Sequence, residues 1–138
     1  MLMPAAAPTR KIPAASGLLV ENPNRVATDK LHTLHIEVAG QEHTYPVPGT
    51  AEILLGRGFV ADDSTDFLDL SSVDGGEKGV SRRHAVIRIE GLSVYLVDIG
   101  STNGTFLNGR RIHPEHRHVL YSGDRIRLGA LELQIRFS

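Results

Sequence analysis

No stretch of this 138-residue chain keeps a helical period. From Lys30 onward, short apolar runs are instead cut by turn residues roughly every 8–12 positions. Strands this short satisfy their backbone groups only by pairing with one another, so the pattern points to an all-β fold. "LHTLHIEVAG" alternates Leu34, Ile36 and Val38 as a half-buried strand. In "EHTYPVP", Pro46 cannot donate to a ladder and marks an edge. "AEILLGRG" and the short "DFLDLS" follow. "HAVIRIEG" alternates poorly, as a strand buried on both faces would, and turns at Glu90–Gly91 into "LSVYLVDIG". "TFLNGRRI" carries Asn108-Gly109, a strong two-residue hairpin signal. "RHVLYSGDRIRLG" and "ALELQIRFS", joined at Gly129–Ala130, close the chain. About ten such strands and no helix predict a β-sandwich. With aromatics at 5% and Trp absent, Leu, Ile and Val must fill its core.

Residues 1–29 are rich in Ala, Pro and Asn and show neither period. They are expected to be a flexible tail, with the folded domain over 30–138. Thr9 and Thr28 lie in that segment and are open to phosphorylation. Cys is absent, which removes disulfides, thiolate metal ligands and a Cys nucleophile together. No apolar run reaches membrane-span length, and the first residues do not read as a signal peptide, so a cytoplasmic setting is expected. The net charge of −1 supplies no basic field, and aromatics for base stacking are few. Neither nucleic acid nor membrane is expected as a partner.

Charge is nevertheless unevenly placed. Between Ala61 and Glu77 stand Asp62, Asp63, Asp66, Asp69, Asp74 and Glu77 with no Lys or Arg. Between Ser81 and His113, five Arg (82, 83, 88, 110 and 111) face only Glu90 and Asp98. An acidic run is first a solvated surface; here it could also bias partners beside a cationic pocket.

The cationic part has the ingredients of an anion site. A phosphate monoester carries about two negative charges and three acceptor oxygens. It calls for a guanidinium fork together with hydroxyls and backbone N–H groups on tight loops. Arg57 ends a strand between Gly56 and Gly58; Ser81, Arg82 and Arg83 follow a glycine-rich loop; Thr102 and Asn103 sit on the Ser101–Gly104 loop. Each lies at a strand end, and in a sandwich such ends cluster.

"LLGRG", "GVSRRHAVI", "VDIGSTNGTFLNG" and "LYSGDRIRLGALEL", in that order and spacing, resemble a forkhead-associated (FHA) domain over roughly Leu31 to Ser138. The resemblance implies an FHA-like β-sandwich of about eleven strands, with loops at one end forming the binding site. It implies a phosphothreonine-dependent protein–protein interaction module that recruits a partner phosphorylated by a Ser/Thr kinase, the partner being a kinase or its substrate. Arg57 and Ser81 would then bind the phosphate, assisted by Arg82 and Thr102. Asn103 would hold the peptide backbone, and His84 would brace the Ser81 loop from beneath. Gly56, Gly104, Thr105, Asn108 and Gly109 would shape the loops. Lys78, Gly79 and Val80 resemble the place where the family reads the third residue after the phosphothreonine. No cofactor is implied.

Three other readings compete. Ser81, His84 and Asp98 are the residue types of a hydrolytic triad, but Ser81 and His84 are expected to diverge around a strand start, and no Gly-x-Ser-x-Gly elbow is present. No enzyme activity is expected. His113, His116 and His118 could ligate zinc, though surface or turn histidines are the expected reading and no metal is assigned. His32 and His35 are expected on opposite sides of a strand. A structural sandwich that binds an unphosphorylated partner is the remaining alternative.

Overall fold

The computed structural model describes residues 19–20, 31–58 and 66–138. Among them are twelve strands: β1 (Leu19–Val20), β2 (Thr33–Val38), β3 (Gln41–Pro46), β4 (Glu52–Gly56), β5 (Asp66–Asp69), β6 (Arg83–Glu90), β7 (Ser93–Asp98), β8 (Thr105–Leu107), β9 (Arg110–Arg111), β10 (Arg117–Val119), β11 (Arg125–Leu128) and β12 (Leu131–Phe137). The described helical structure is a single 3-10 turn, Ser71–Val73. The strands form two six-stranded sheets, ordered β9-β8-β11-β12-β2-β3 and β1-β10-β7-β6-β4-β5. The expected all-β sandwich is therefore what forms. Its strand count reaches twelve because the two-residue β1 and β9 each pair with a neighbour.

Alternation decides which face each strand buries. Leu34, Ile36 and Val38 of β2 point inward with Leu131, Leu133 and Ile135 of β12. Opposite them stand Ile53 and Leu55 of β4, Ala85, Ile87 and Ile89 of β6, and Leu96 of β7. Apart from Ala85 and Phe137, every residue of this core cluster is Leu, Ile or Val. β6 is buried on both faces only from His84 to Ile87, after which Arg88 and Glu90 are exposed. Its outward Val86 is flanked across the sheet by buried Leu54 and Val97.

Local chemistry sets the connections. The β6–β7 hairpin pairs Glu90 with Ser93, so its two-residue turn is Gly91–Leu92, one position beyond the Glu90–Gly91 expectation. Gly91 takes the left-handed φ of 64° that the tight turn requires. Asn108 (φ 51°) and Gly109 (φ 89°) turn β8 into β9 as the Asn-Gly signal predicts. β3, with Pro46, is an edge. β1 lies parallel to β10, Leu19 beside Arg117 and Val20 beside His118, so the second sheet reaches into the segment expected to be a tail. Thr9, Thr28, Asp62 and Asp63 lie outside the described residues.

Candidate functional site

Four connections meet at one end of the sandwich: the turn after β4, the loop before β6, the β7–β8 loop and the β11–β12 turn. Gly56 begins the assembly. A β-carbon there would lie 1.8 Å from the Arg82 carbonyl oxygen, so only glycine lets the two backbones approach. The Arg57 N–H then donates to that same carbonyl at 3.2 Å. The Arg57 side chain is half-buried, and its Nε donates to the Val80 carbonyl at 2.6 Å, immediately before Ser81. Gly58 is held in turn by Asp69, which accepts from the Gly58 N–H and from both the N–H and the hydroxyl of Ser71. The Ser71 hydroxyl first, then the two backbone N–H groups, hold the Asp69 carboxyl below its usual range. Asp69 thus fixes the turn after Arg57 rather than only adding to an acidic surface.

Beneath Ser81 sits His84, which is fully buried. The β4–β6 pairing passes from Leu55–Ala85 to Gly56–Arg83, which leaves His84 as the extra residue of a β-bulge and re-aims it. Its Nδ1 accepts from the Ser81 N–H at 3.0 Å, so the proton is on Nε2, which donates to the Gly104 carbonyl at 2.9 Å. One neutral imidazole therefore joins the Ser81 and Gly104 loops. Burial, the largest influence, lowers its pKa against the opposing pull of the Gly104 carbonyl and Asp98. With both ring nitrogens engaged by backbone, His84 has none left to serve Ser81 Oγ as a base. The triad geometry is not formed.

Asp98 organises the third loop. It is buried at the end of β7 and accepts four hydrogen bonds, from the N–H groups of Gly100 and Ser101 and from the hydroxyls of Ser101 (2.5 Å) and Thr105 (2.8 Å). Burial alone would raise its pKa, but these donors prevail and lower it. Ser101 Oγ also accepts from the Gly104 N–H, closing the loop on itself. Thr102 and Asn103 are left exposed at its tip. The Thr102 N–H donates to Ser81 Oγ at 3.1 Å, and Asn103 Nδ2 donates to the Gly79 carbonyl at 2.9 Å. Gly79 has a φ of 85°, which an L side chain rarely adopts, and a β-carbon there would also push the Asn103 amide from its place, 2.6 Å away.

Arg57, Ser81, Thr102 and Asn103 are thus knit into one surface, and Arg82 joins it through its carbonyl while its side chain is exposed. Gly56, His84, Gly104 and Thr105 lie directly under or within it. Asn108 and Gly109 do not. They stand at the other end of β8, where Asn108 binds Asp124 Oδ1 and the Arg125 N–H and braces the start of β11. Sequence reasoning missed Asp69, Ser101 and the structural role of Asp98. It placed a turn at Gly129–Ala130 but missed what the turn braces: its N–H groups donate to the carbonyls of Gly104 and Lys78.

The histidine expectations fare unevenly. Among the described residues, no group of three His, Cys, Asp or Glu side chains is arranged to hold a metal. His113 is exposed and its ring lies 5.3 Å from that of His116, but His118 is no surface residue: it is buried on β10 opposite Leu96. Its pKa is lowered first by burial and then by His116 and His113. His32 is exposed ahead of β2, whereas His35 is half-buried and binds Ser138 and Glu42.

The sequence profile of the FHA domain matches residues 53–129, from inside β4 to the β11–β12 turn. The chain belongs to the FHA domain family. Protein FraH of Nostoc sp. is 52% identical over 54 residues, covering 39% of this chain and 19% of FraH. The glycogen accumulation regulator GarA of Mycolicibacterium smegmatis is 41% identical over 71 residues, covering 51% of this chain and 39% of GarA. The chain spans less than half the length of either relative. Among solved structures, an FHA domain studied for phosphothreonine-dependent interactions superposes with a TM-score of 0.58 at 32% identity, over 77% of this chain and 97% of that one.

Proposed function

We propose that this FHA domain binds proteins through phosphothreonine and so recruits partners marked by a Ser/Thr kinase. The observation that carries the reading is the knot of Arg57, Ser81, Thr102 and Asn103, in which three loops present a guanidinium, two hydroxyls and an amide on one surface. Arg57 and Ser81 bind the phosphate. Arg82, exposed beside them, and the Thr102 hydroxyl assist. Asn103 uses its remaining amide groups on the peptide backbone. The structurally similar FHA domain studied for phosphothreonine-dependent interactions supports this assignment. A cytoplasmic setting, where kinases and ATP meet the domain, and a domain limit near residue 30 belong to the same proposal.

Charge-assisted hydrogen bonds contribute about 1.5–3 kcal/mol each, so three or four, less the cost of ordering the peptide, give micromolar affinity, about −8 kcal/mol. Fluorescence anisotropy with matched phosphothreonine, phosphoserine and unphosphorylated peptides tests this. Micromolar binding of the phosphothreonine peptide, lost on dephosphorylation and lost in a folded Arg57→Ala variant, is the expected result. Equal binding of the unphosphorylated peptide, or affinity retained by Arg57→Ala, would overturn the assignment.

A further inference from the structure

The phosphothreonine reading makes no use of the edge of the second sheet where β1 lies. There β10 pairs with β7 on one side and with β1 on the other. His118 is the middle residue of β10, with Leu96 of β7 opposite it and Val20 of β1 beside it. Directly opposed residues share a face, so the His118 imidazole is buried on the core side with Leu96. Its Nε2 has no hydrogen-bond partner, and neither has the buried Nδ1 of His116. The His116 ring in turn lies 5.3 Å from that of His113. Three imidazoles thus gather where the N-terminal strand joins the sheet, and two of them hold a buried, unpaired nitrogen.

The surrounding groups do not offset a proton there. Among the described residues, none of the three histidines is paired with a carboxylate. On β7, Tyr95 lies under the Arg117 guanidinium at 4.7 Å, and the Asp98 carboxylate is occupied by Gly100, Ser101 and Thr105. Arg117 is itself paired with Glu90 of β6 at 3.5 Å. Glu115 is exposed, and β9 leads into this loop with two exposed cations, Arg110 and Arg111. β1 brings Leu19 and Val20, which carry no charge. Burial first, then His116 and His113, hold the His118 imidazole below its ordinary range.

We infer that β1 is a proton-released strand: it docks on β10 while His118 is neutral and leaves when His118 takes up a proton. The inference is independent of the phosphothreonine reading. A proton on docked His118 makes a buried cation with no acceptor for Nε2 and two imidazoles beside it. The weakest cover is β1, a two-residue strand at the sheet edge, whereas β7 is held on both sides. When β1 leaves, water reaches β10 and the imidazole returns toward its ordinary pKa of about 6.5. Above that value His118 is neutral in both states, and docking does not depend on pH. Below it, the docked-to-released ratio falls by up to about tenfold per pH unit. The vacated edge exposes the backbone N–H and C=O groups of β10, a template for another strand.

The test is nitrogen relaxation by NMR on the full chain at pH 7.5 and pH 5.5, on either side of the histidine range. Leu19 and Val20 should show order parameters of about 0.85 at the higher pH and below about 0.6 at the lower. Ile87 of β6 should stay rigid at both, which separates strand release from unfolding. His118→Phe keeps an apolar ring and removes the proton site, so its β1 should stay ordered at both pH values. The double variant His113→Gln/His116→Gln changes only loop positions, and it decides the matter if His118→Phe does not fold. Its β1 should be released less at pH 5.5, because docked His118 then accepts a proton more readily without expelling the strand. A β1 that is flexible at pH 7.5, or equally ordered at both pH values, would overturn the inference. So would loss of order at Ile87 together with β1, or a release that the folded variants leave unchanged.

Discussion

His84 and Asp98 carry the shape of the binding end without reaching its surface. Each is a buried polar group whose hydrogen bonds go to a loop: His84 joins Ser81 to the distant Gly104, and Asp98 gathers its own loop through Ser101 and Thr105. Asp98→Ala removes four of these bonds at once. The Thr105 hydroxyl it leaves behind is fully buried and cannot turn to water. The expected loss is about 2–4 kcal/mol, read as a lower denaturation midpoint, with weaker phosphopeptide binding because Thr102 and Asn103 lose their support. An unchanged midpoint would mean that the loop holds its shape without the carboxylate.

Among the strands, the β4–β6 pair is where core and site are joined. Its inner half is an ordinary ladder, Ile53 with Ile87 and Leu55 with Ala85, packed in the core. At Leu55/Gly56 the register shifts, and from there β4 runs into the surface that Arg57 shares with the Ser81 loop. Gly56 is the tight point, and the atom it faces is backbone, which cannot swing aside. Gly56→Ala should therefore separate the strand ends and cost about 3 kcal/mol, more than a typical overpacking change, measurable by chemical denaturation. A variant as stable as the parent would show that the Arg82 peptide can rotate away. The β8–β9 hairpin works differently: Asn108 ties it to Asp124 and Arg125, so it supports the start of β11, not the Ser81 and Thr102 loops.

For the molecule as a whole, stability should depend on pH near neutrality through its buried histidines. His84 and His118 both have pKa values lowered below the ordinary 6.5, chiefly by burial. Above that value both imidazoles are neutral whether the chain is folded or not, and their contribution is complete. As the pH falls below it, the unfolded chain takes up protons that the folded one resists, so stability falls, by at most about 1.4 kcal/mol per histidine per pH unit. Asp69 and Asp98, lowered from 3.8, stay ionised in both states over this range and do not offset the loss. The denaturation midpoint should thus be lower at pH 5.5 than at pH 7.5, conditions set by the histidine range. A level or rising midpoint would contradict neutral, buried imidazoles.

The all-β class, the Leu/Ile/Val core, the β3 edge and the Asn108-Gly109 turn were legible in the chain because each follows from local periodicity or from the conformational demands of one or two residues. That Arg57, Ser81, Thr102 and Asn103 gather at one end of the sandwich was legible from the ordered set of loop motifs that resembles the family. What the chain could not display is decided by contacts between distant segments. The burial of His118 depends on β10 lying against β7, and the inclusion of β1 depends on an open sheet edge. Asp98 takes its donors from its own loop, but the conversion of Asp69 from an apparent surface acid into a loop brace depends on the Gly58 N–H that the pairing of β4 with β5 brings to it. The meeting of Arg111 and Arg127 over Phe106 likewise joins residues on three strands. Alternation and turn chemistry act over a few bonds and can be read from order alone; a hydrogen-bond partner or a ring face supplied by another strand exists only once the sheets have closed.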